Sequence, residues 1–306
     1  MPGAGWNTYT AVGNKEDVSD IITNISPYDT PLYSRIGKTK AIAVMHEWLE
    51  DELGAPQVNQ QNEGYTYFTM NVDERQRLFN YTQIMHRGIH VTDTQEVVLK
   101  YGLRSEIAYQ LAKTLKEIAF DCEQTIVTQN TRSIGSMTPP TPRIFGGLPY
   151  WITTNVFTLP GSVTNNLTFT EINTALEQTW TGGGKPSILL VSPRNKRVIS
   201  TFTANQTKYL DAGNAKKLTH MISVLETDFG TLHCMTDRFV PNDVVYGLSP
   251  EYIKKAFLRN FKTGDMPKMS DMQRKYVNGE WTLEMRAEKA HFMIDNCNGI
   301  VPDENG

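Results

Sequence analysis

Apolar and polar positions recur along this chain with two different periods, and the changes of period divide it into blocks. Near the start, Val18, Ile21, Ile22 and Ile25 fall on one helical face behind a cap at Asn14, with Asp17 in the first turn. Ser26-Pro27 ends that helix, and Thr30-Pro31 predicts a second short one, capped by Thr30 and closed by Gly37. Helices this short do not hold alone, so they lean on another part of the chain or on a neighbouring one. From Ala41 to Val98 the period drops to two. Ile42, Val44, His46 and Trp48 alternate with Ala43, Met45, Glu47 and Leu49, and further strands are predicted over Tyr65–Val72 and Leu78–Thr92. The polar stretch Gly54–Gly64 lies between them. A β excursion of this length with little continuous core is unusual inside a compact domain.

The strongest helical signal covers Leu103–Asn130, with Leu103, Ile107, Leu111, Leu115, Ile118, Cys122 and Ile126 spaced three or four residues apart. At 100° per residue the stripe drifts by about 140° over a helix of about 40 Å, so its two ends face different partners. It reads as a spine. Asn130–Asn166 is rich in Pro, Gly, Ser and Thr and predicts irregular connection. Thr168 and Glu171 then match a capping box ahead of Ile172, Ala175, Leu176 and Trp180, and Gly182–Gly184 stop that helix. A short buried strand (Ile188–Val191) and a helix from Ser192-Pro193 to Phe202 complete a helix–strand–helix unit. The last third predicts strands over Ile222–Glu226, Leu232–Thr236, Val244–Leu248, Ile253–Leu258 and Trp281–Ile294. Phe229-Gly230 reads as a hairpin turn, and Asn278-Gly279 as a turn or a bulge.

Composition narrows the function classes. The chain has 306 residues, which at roughly 150 per domain suggests about two domains. Thirty basic residues against 33 acidic ones give a net charge of -3, which argues against a strongly basic nucleic-acid binder. Three cysteines do not make a disulfide framework and suit a reducing compartment. No run of 18 apolar residues suggests a membrane span, and Met1–Asn14 lacks the pattern of a signal peptide.

Candidate chemistry is thin. His46-Glu47 lacks the second histidine of a zincin motif, His86 and His90 lack a third ligand, and adjacent His233 and Cys234 point to opposite faces of a strand. Gly182-Gly183-Gly184-Lys185 lacks the first glycine of a phosphate loop and has Pro186 where Ser or Thr would bind magnesium. No catalytic arrangement, cofactor site or metal site is expected. Charge, by contrast, is unevenly placed. Lys185, Arg194, Lys196, Arg197, Lys208, Lys216 and Lys217 cluster with the single acid Asp211, whereas Glu47, Glu50, Asp51 and Glu52 cluster at the start of the β excursion. These are solvated faces or complementary contacts between copies of the chain.

Several stretches in order resemble one branch of the tailed-phage major capsid proteins, the family named for the major capsid protein of phage SU-ten. They are Tyr9–Asp17, Ser19–Ile22, Asn24–Pro27, Asp29–Pro31, Arg35–Gly37, His46–Trp48, Asn80–Ile84, Glu106–Lys113, Asn195–Ser200, Asp228–Leu232 and Tyr252–Leu258. The resemblance covers nearly the whole chain. It implies an α+β, Hong Kong 97-like capsid fold with an N-terminal arm over residues 1–40, an extended loop over 41–95, and a peripheral domain over 96–167 and 236–306 carrying the spine helix at 103–130. The axial domain would span 168–235.

The implied function is that of a major capsid protein. Copies would assemble into hexamers and pentamers of an icosahedral shell around double-stranded DNA, built in the bacterial host cytoplasm. An encapsulin-like nanocompartment is the alternative, and a soluble α/β enzyme would need a site that the residues do not offer. Implied partners are the chain itself, a separate scaffolding protein, a portal, a cement or decoration protein and, non-specifically, the packaged DNA, with no membrane. Contact candidates between subunits are Glu47, Trp48, Glu50, Asp51, Glu52, Arg75, Arg77, Arg194, Lys196 and Arg197. Because no lysine lies between Lys40 and Lys100, a lysine-based cross-link from the loop is chemically excluded and non-covalent closure is expected. The matching region begins near Trp6, so no fused scaffolding segment is expected.

Overall fold

The structure is a computed structural model that describes residues 30–54, 56, 58, 60–64, 74–99, 103–160, 167–202 and 224–297. The helix expected after Asn14, the strand expected over 65–72 and the basic positions Lys208, Lys216 and Lys217 lie outside those residues.

The described chain opens with helix α1 (Pro31–Arg35) and strand β1 (Gly37–Lys40). A hairpin follows, β2 (Met45–Glu50) with β3 (Gln76–Tyr81), and then β4 (Gln83–Thr92) and the short helix α2 (Asp93–Val97) lead into the long helix α3 (Glu106–Thr128). A tongue built on β5 (Ser136–Met137) and β6 (Pro140–Thr141) precedes α4 (Leu148–Trp151) and β7 (Val156–Thr158). Next come α5 (Phe169–Thr181), β8 (Ile188–Val191), α6 (Pro193–Thr201), β9 (Val224–Thr227) and β10 (Gly230–Thr236). Strands β11 (Val245–Leu248), β12 (Ile253–Asp265), β13 (Met272–Met285) and β14 (Phe292–Asp295) complete the order.

Local chemistry explains where the helices begin. The Ser105 hydroxyl accepts from the Ala108 N–H, and Glu96 Oε2 accepts from the N–H groups of Glu106 and Ile107, so the first-turn donors of α3 are satisfied. Both halves of the capping box form at Thr168 and Glu171, and Ser192 caps α6. At α1 the expectation fails, because the Thr30 side chain makes no capping bond to the backbone. The cap comes from the spine instead: Glu123 Oε1 and Oε2 accept from Leu32 N and Tyr33 N at 2.9 and 2.6 Å.

Two sheets organise the body. A four-stranded sheet runs β1-β12-β13-β4, and a six-stranded mixed sheet runs β7-β14-β11-β8-β10-β9. The spine α3 lies across β4 and β13, where Arg87 forks onto Asp121 and Glu117 at 2.6–2.7 Å. The larger core gathers Trp281, Phe145, Ile118, Ile126 and Tyr246 between α3 and both sheets. A second core packs α5 and α6 on the other face of the six-stranded sheet through Ile172, Leu189, Ile199 and Phe292.

Four sequence expectations change. Leu115 is 45% exposed and Leu111 only half-buried, while Thr114 and Glu123 join the expected Cys122 in facing inward, because the rotating stripe carries those leucines off the contact face. The run Leu78–Thr92 breaks at Thr82, whose N–H bonds Val44 O and whose hydroxyl bonds Glu280, so β3 pairs with β2 while β4 joins β13. The run Trp281–Ile294 breaks after Met285, where Ala287 adopts a left-handed φ of 48° before a 3-10 turn over Glu288–Ala290. Asn278-Gly279 is neither a turn nor a bulge in its own strand. The register slips on the facing strand β12, between Arg259 and Lys262, and the Phe261 ring lies where a Cβ on Gly279 would sit, 2.5 Å away.

Candidate assembly surface

The β2–β3 pair is tied to the body by its inward side chains, while several apolar side chains on it and beside it stay uncovered. Met45 to Glu50 pair antiparallel with Tyr81 to Gln76. Alternation turns Trp48 inward, where it is 6% exposed and packs on Trp151 with ring centroids 5.2 Å apart. Asn80, fully buried, donates to Gly146 O and Leu283 O and accepts from Gly146 N. His46 Nε2 sits 2.8 Å from Glu284 Oε2, so β2 is also tied to β13. Burial pushes the Glu284 carboxyl up, but hydrogen bonds from His46 and Arg286 outweigh it and hold the group below the usual carboxylate range.

The charged contact candidates find partners in their own chain. Glu47 faces Arg77 at 3.8 Å and Asp51 faces Arg75 at 3.4 Å. Glu50 accepts from Ala287 N at 2.7 Å and Glu52 pairs with Lys289 at 2.6 Å, so both reach the turn after β13. Surface pairs of this kind contribute about 0–1 kcal/mol each and leave their charges available to a neighbour. At α6, Arg197 is exposed whereas Arg194 and Lys196 are half-buried, and the Lys196 ammonium pulls back the Cys234 thiol that burial pushes up.

The apolar residues of the same region have no such cover. Ile42, Leu49, Leu53 and Val58 are 89%, 59%, 100% and 87% exposed, and Met45 is 42% exposed. Met45 and Leu49 lie on β2 and the others in the segments before and after it, and large exposed apolar patches mark interaction surfaces. Chemistry is correspondingly sparse. Among the described residues no group of three His, Cys, Asp or Glu is arranged to hold a metal, and no helix is long and apolar enough to cross a membrane.

Comparison with known proteins decides between the remaining readings. The model of the SU10 major capsid protein family matches residues 6–298. The chain belongs to the SU10 major capsid protein family. A curated relative, the major capsid protein of Escherichia phage Phieco32, is 22% identical over 93% of each chain. Among solved structures, the cyanophage A-1(L) capsid superposes with a TM-score of 0.70 at 11% identity, covering 93% of this chain and 97% of that one. The SrpI encapsulin of Synechococcus elongatus PCC 7942 gives a TM-score of 0.59 at 12% identity, covering 96% and 95%. The fold is therefore the Hong Kong 97-like capsid fold, and the function is that of a phage major capsid protein, with the structural role that the family carries.

Sequence reasoning placed strands at β2 and β3 but not their pairing, and it missed the buried groups that pin them. Glu284, Glu280 and Asn80 lie at alternate or end positions of strands that read only as apolar and polar mixtures, and their partners are distant in sequence. Glu123 left one local signal. It sits beside Cys122 and one turn before Ile126 and Val127, where the inward face of α3 is two residues wide.

Proposed function

We propose that this capsid protein closes its shell through the β2–β3 hairpin, which lies over the next subunit of a hexamer or pentamer in an icosahedral shell around double-stranded DNA. The observation that carries the reading is a hairpin pinned at its base by His46, Trp48 and Asn80 yet exposing Leu49, Leu53 and Val58 beyond it. On this reading residues 1–40 are the N-terminal arm, although α1 and β1 at its end rest on the chain's own spine and β12; 41–95 are the extended loop, although β4 within that range pairs with β13 in the body; 96–167 with 236–306 are the peripheral domain, and 168–235 the axial domain. Assembly takes place in the host cytoplasm on a separate scaffolding protein and around a portal, and a cement protein reinforces the shell.

Closure is non-covalent on the loop side, since residues 41–99 hold no lysine to form an isopeptide bond. The net charge of -3 suits an inner face that does not grip DNA, because each neutralised phosphate would add salt-dependent affinity. The encapsulin fold neighbour makes a nanocompartment the alternative, and the family match over residues 6–298 favours the phage shell.

The test is electron microscopy of the full chain produced with its own head genes. Closed particles that package DNA support the reading. Particles that instead enclose a cargo enzyme overturn it in favour of the nanocompartment, and a stable monomer or dimer under the same conditions overturns both.

A further inference from the structure

A pair of buried acids lies at the centre of the molecule, away from the assembly surface. Glu123 on α3 is fully buried, and Asp237, at the start of the link from β10 to β11, is 1% exposed. Their carboxyl groups lie within hydrogen-bonding range of each other. Glu123 uses both oxygens to accept from Leu32 N and Tyr33 N. Asp237 Oδ1 accepts from Phe239 N at 3.0 Å. Asp237 Oδ2 is buried and meets no donor among the described residues. A buried acceptor without a donor is costly, and two adjacent carboxylates resist ionising together. One proton between them answers both demands. A protonated Glu123 gains an O–H that donates to the orphaned Asp237 oxygen.

The surrounding groups do not replace that proton. Tyr33 on α1, Cys122 on α3 and Lys255 on β12 face Glu123, with Lys38 of β1 beside Lys255. Lys255 Nζ is already engaged, donating to Tyr33 O and lying 3.9 Å from the Tyr33 ring centroid. Asp121, on the same helix, is held by Arg87. Asp237 receives only backbone N–H groups, from Arg238 and Phe239, besides Glu123. The near end of the β10–β11 link lies on the spine, where Phe239 packs on Phe120 with centroids 6.2 Å apart and Val240 joins the larger core. Its far end is held separately, since Asn195 Nδ2 donates to Asn242 O and Cys297 N to Asp243 O.

We propose that Glu123 and Asp237 share one proton, and that this proton latches the near end of the β10–β11 link to the spine. When the proton leaves to water, two negative charges face each other in a buried site. Glu123 keeps its two N–H donors, so α1 stays capped and Asp237 is the group that moves away. The latch is therefore closed in the protonated form. Burial raises the Glu123 carboxyl from 4.5 to about 7, and Asp237 is raised as well. The closed form thus loses its advantage as pH rises from 4.5 to about 7, and the balance is level above that.

The test uses the full chain and two readouts. Infrared difference spectra of the wild type are expected to show the carbonyl stretch of a buried protonated carboxyl, fading as pH passes through about 7. The band is expected to be absent from Glu123→Gln and from Asp237→Asn. Hydrogen exchange, corrected for the intrinsic effect of pH, then reads the latch. Protection of residues 237–240 is expected to fall by up to about tenfold per pH unit below that point and to level off above it, while β8 stays protected. In Asp237→Asn, whose amide donates to the Glu123 carboxylate, protection of 237–240 is expected not to change with pH. If that variant does not fold, Glu123→Gln, whose amide donates to Asp237, serves in its place. A wild-type spectrum without the band overturns the shared proton. A band accompanied by flat protection overturns the latch, as does a pH-dependent fall that persists in the amide variant. Equal loss of protection at β8 also overturns it, in favour of unfolding of the whole sheet. Neither readout needs an assembled particle, so the latch stands or falls apart from the shell.

Discussion

The body and the hairpin solve the burial problem in opposite ways. In the body, Trp281 is fully buried and touches Phe145, Phe257 and Tyr33, with ring centroids 4.8–6.2 Å apart. Buried charge there is met in the same chain, as where Glu280 takes bonds from Arg143, Arg259 and Thr82. Beyond its base the hairpin has two strands, exposed ion pairs and apolar side chains facing outward. A lone two-stranded hairpin is marginally stable in water. Its order therefore comes from its ties to the body, those of His46, Trp48 and Asn80 and those of Glu50 and Glu52 to the turn after β13, and on the proposed reading the apolar area it leaves in water is for a neighbour. On the proposed reading, what separates the regions is which chain completes them.

Substitutions sharpen this contrast. Trp281→Ala should cost about 3–5 kcal/mol, since it empties the centre of the larger core. A urea titration of the soluble subunit would show the lost midpoint, and an unchanged midpoint would mean the core is centred elsewhere. Within the spine, Ile118→Ala should cost about 2–5 kcal/mol. Leu111→Ala should cost only about 1–2 kcal/mol, because part of Leu111 is already in water. Equal losses would contradict the observed rotation of the helix.

Next in size is a pH effect. Burial raises the Glu123 carboxyl from 4.5 to about 7, a neighbouring Asp237 adds to the rise, and the Leu32 and Tyr33 N–H groups oppose it. An acid raised on folding keeps its proton longer folded than unfolded. Its favourable contribution is thus full below about pH 4.5 and is lost as pH rises through about 7. Glu123→Gln should therefore gain stability relative to wild type between those values, measured as the difference in unfolding free energy at pH 4.5 and pH 8. A difference that shrinks or stays flat would remove Glu123 as the buried titrating cap.

The smallest effect on the subunit should come from the hairpin. Leu49→Asp should change subunit stability by no more than about 0.5 kcal/mol, as surface changes do, while abolishing shells seen by electron microscopy. Deleting Glu50–Asn62 should likewise leave the subunit folded but unable to close a shell. Covalent ladders of this protein from mature particles on denaturing gels would break the non-covalent account of closure.

Much of this contrast was legible in the residues. The alternation around Trp48 and the polar stretch after Gly54 marked the strand and the exposed segment that follows it, whereas the expectation of little core missed that Trp48 and Met85 join the larger core. The capping box at Thr168 and the Ser192-Pro193 start placed α5 and α6 closely, because caps are local chemistry. What escaped was non-local. The break at Thr82 depends on Val44 and Glu280, and the α1 cap depends on a carboxylate 91 residues away. The charged candidates were visible as clusters, but their intrachain partners, such as Lys289 for Glu52, required the fold.

The central claim is that the hairpin is finished by a neighbouring subunit. A cryo-EM reconstruction of the assembled particle tests it directly. The account predicts that Leu49, Leu53 and Val58 of each subunit lie buried against an adjacent chain. A closed shell in which those three side chains remain in solvent would contradict it.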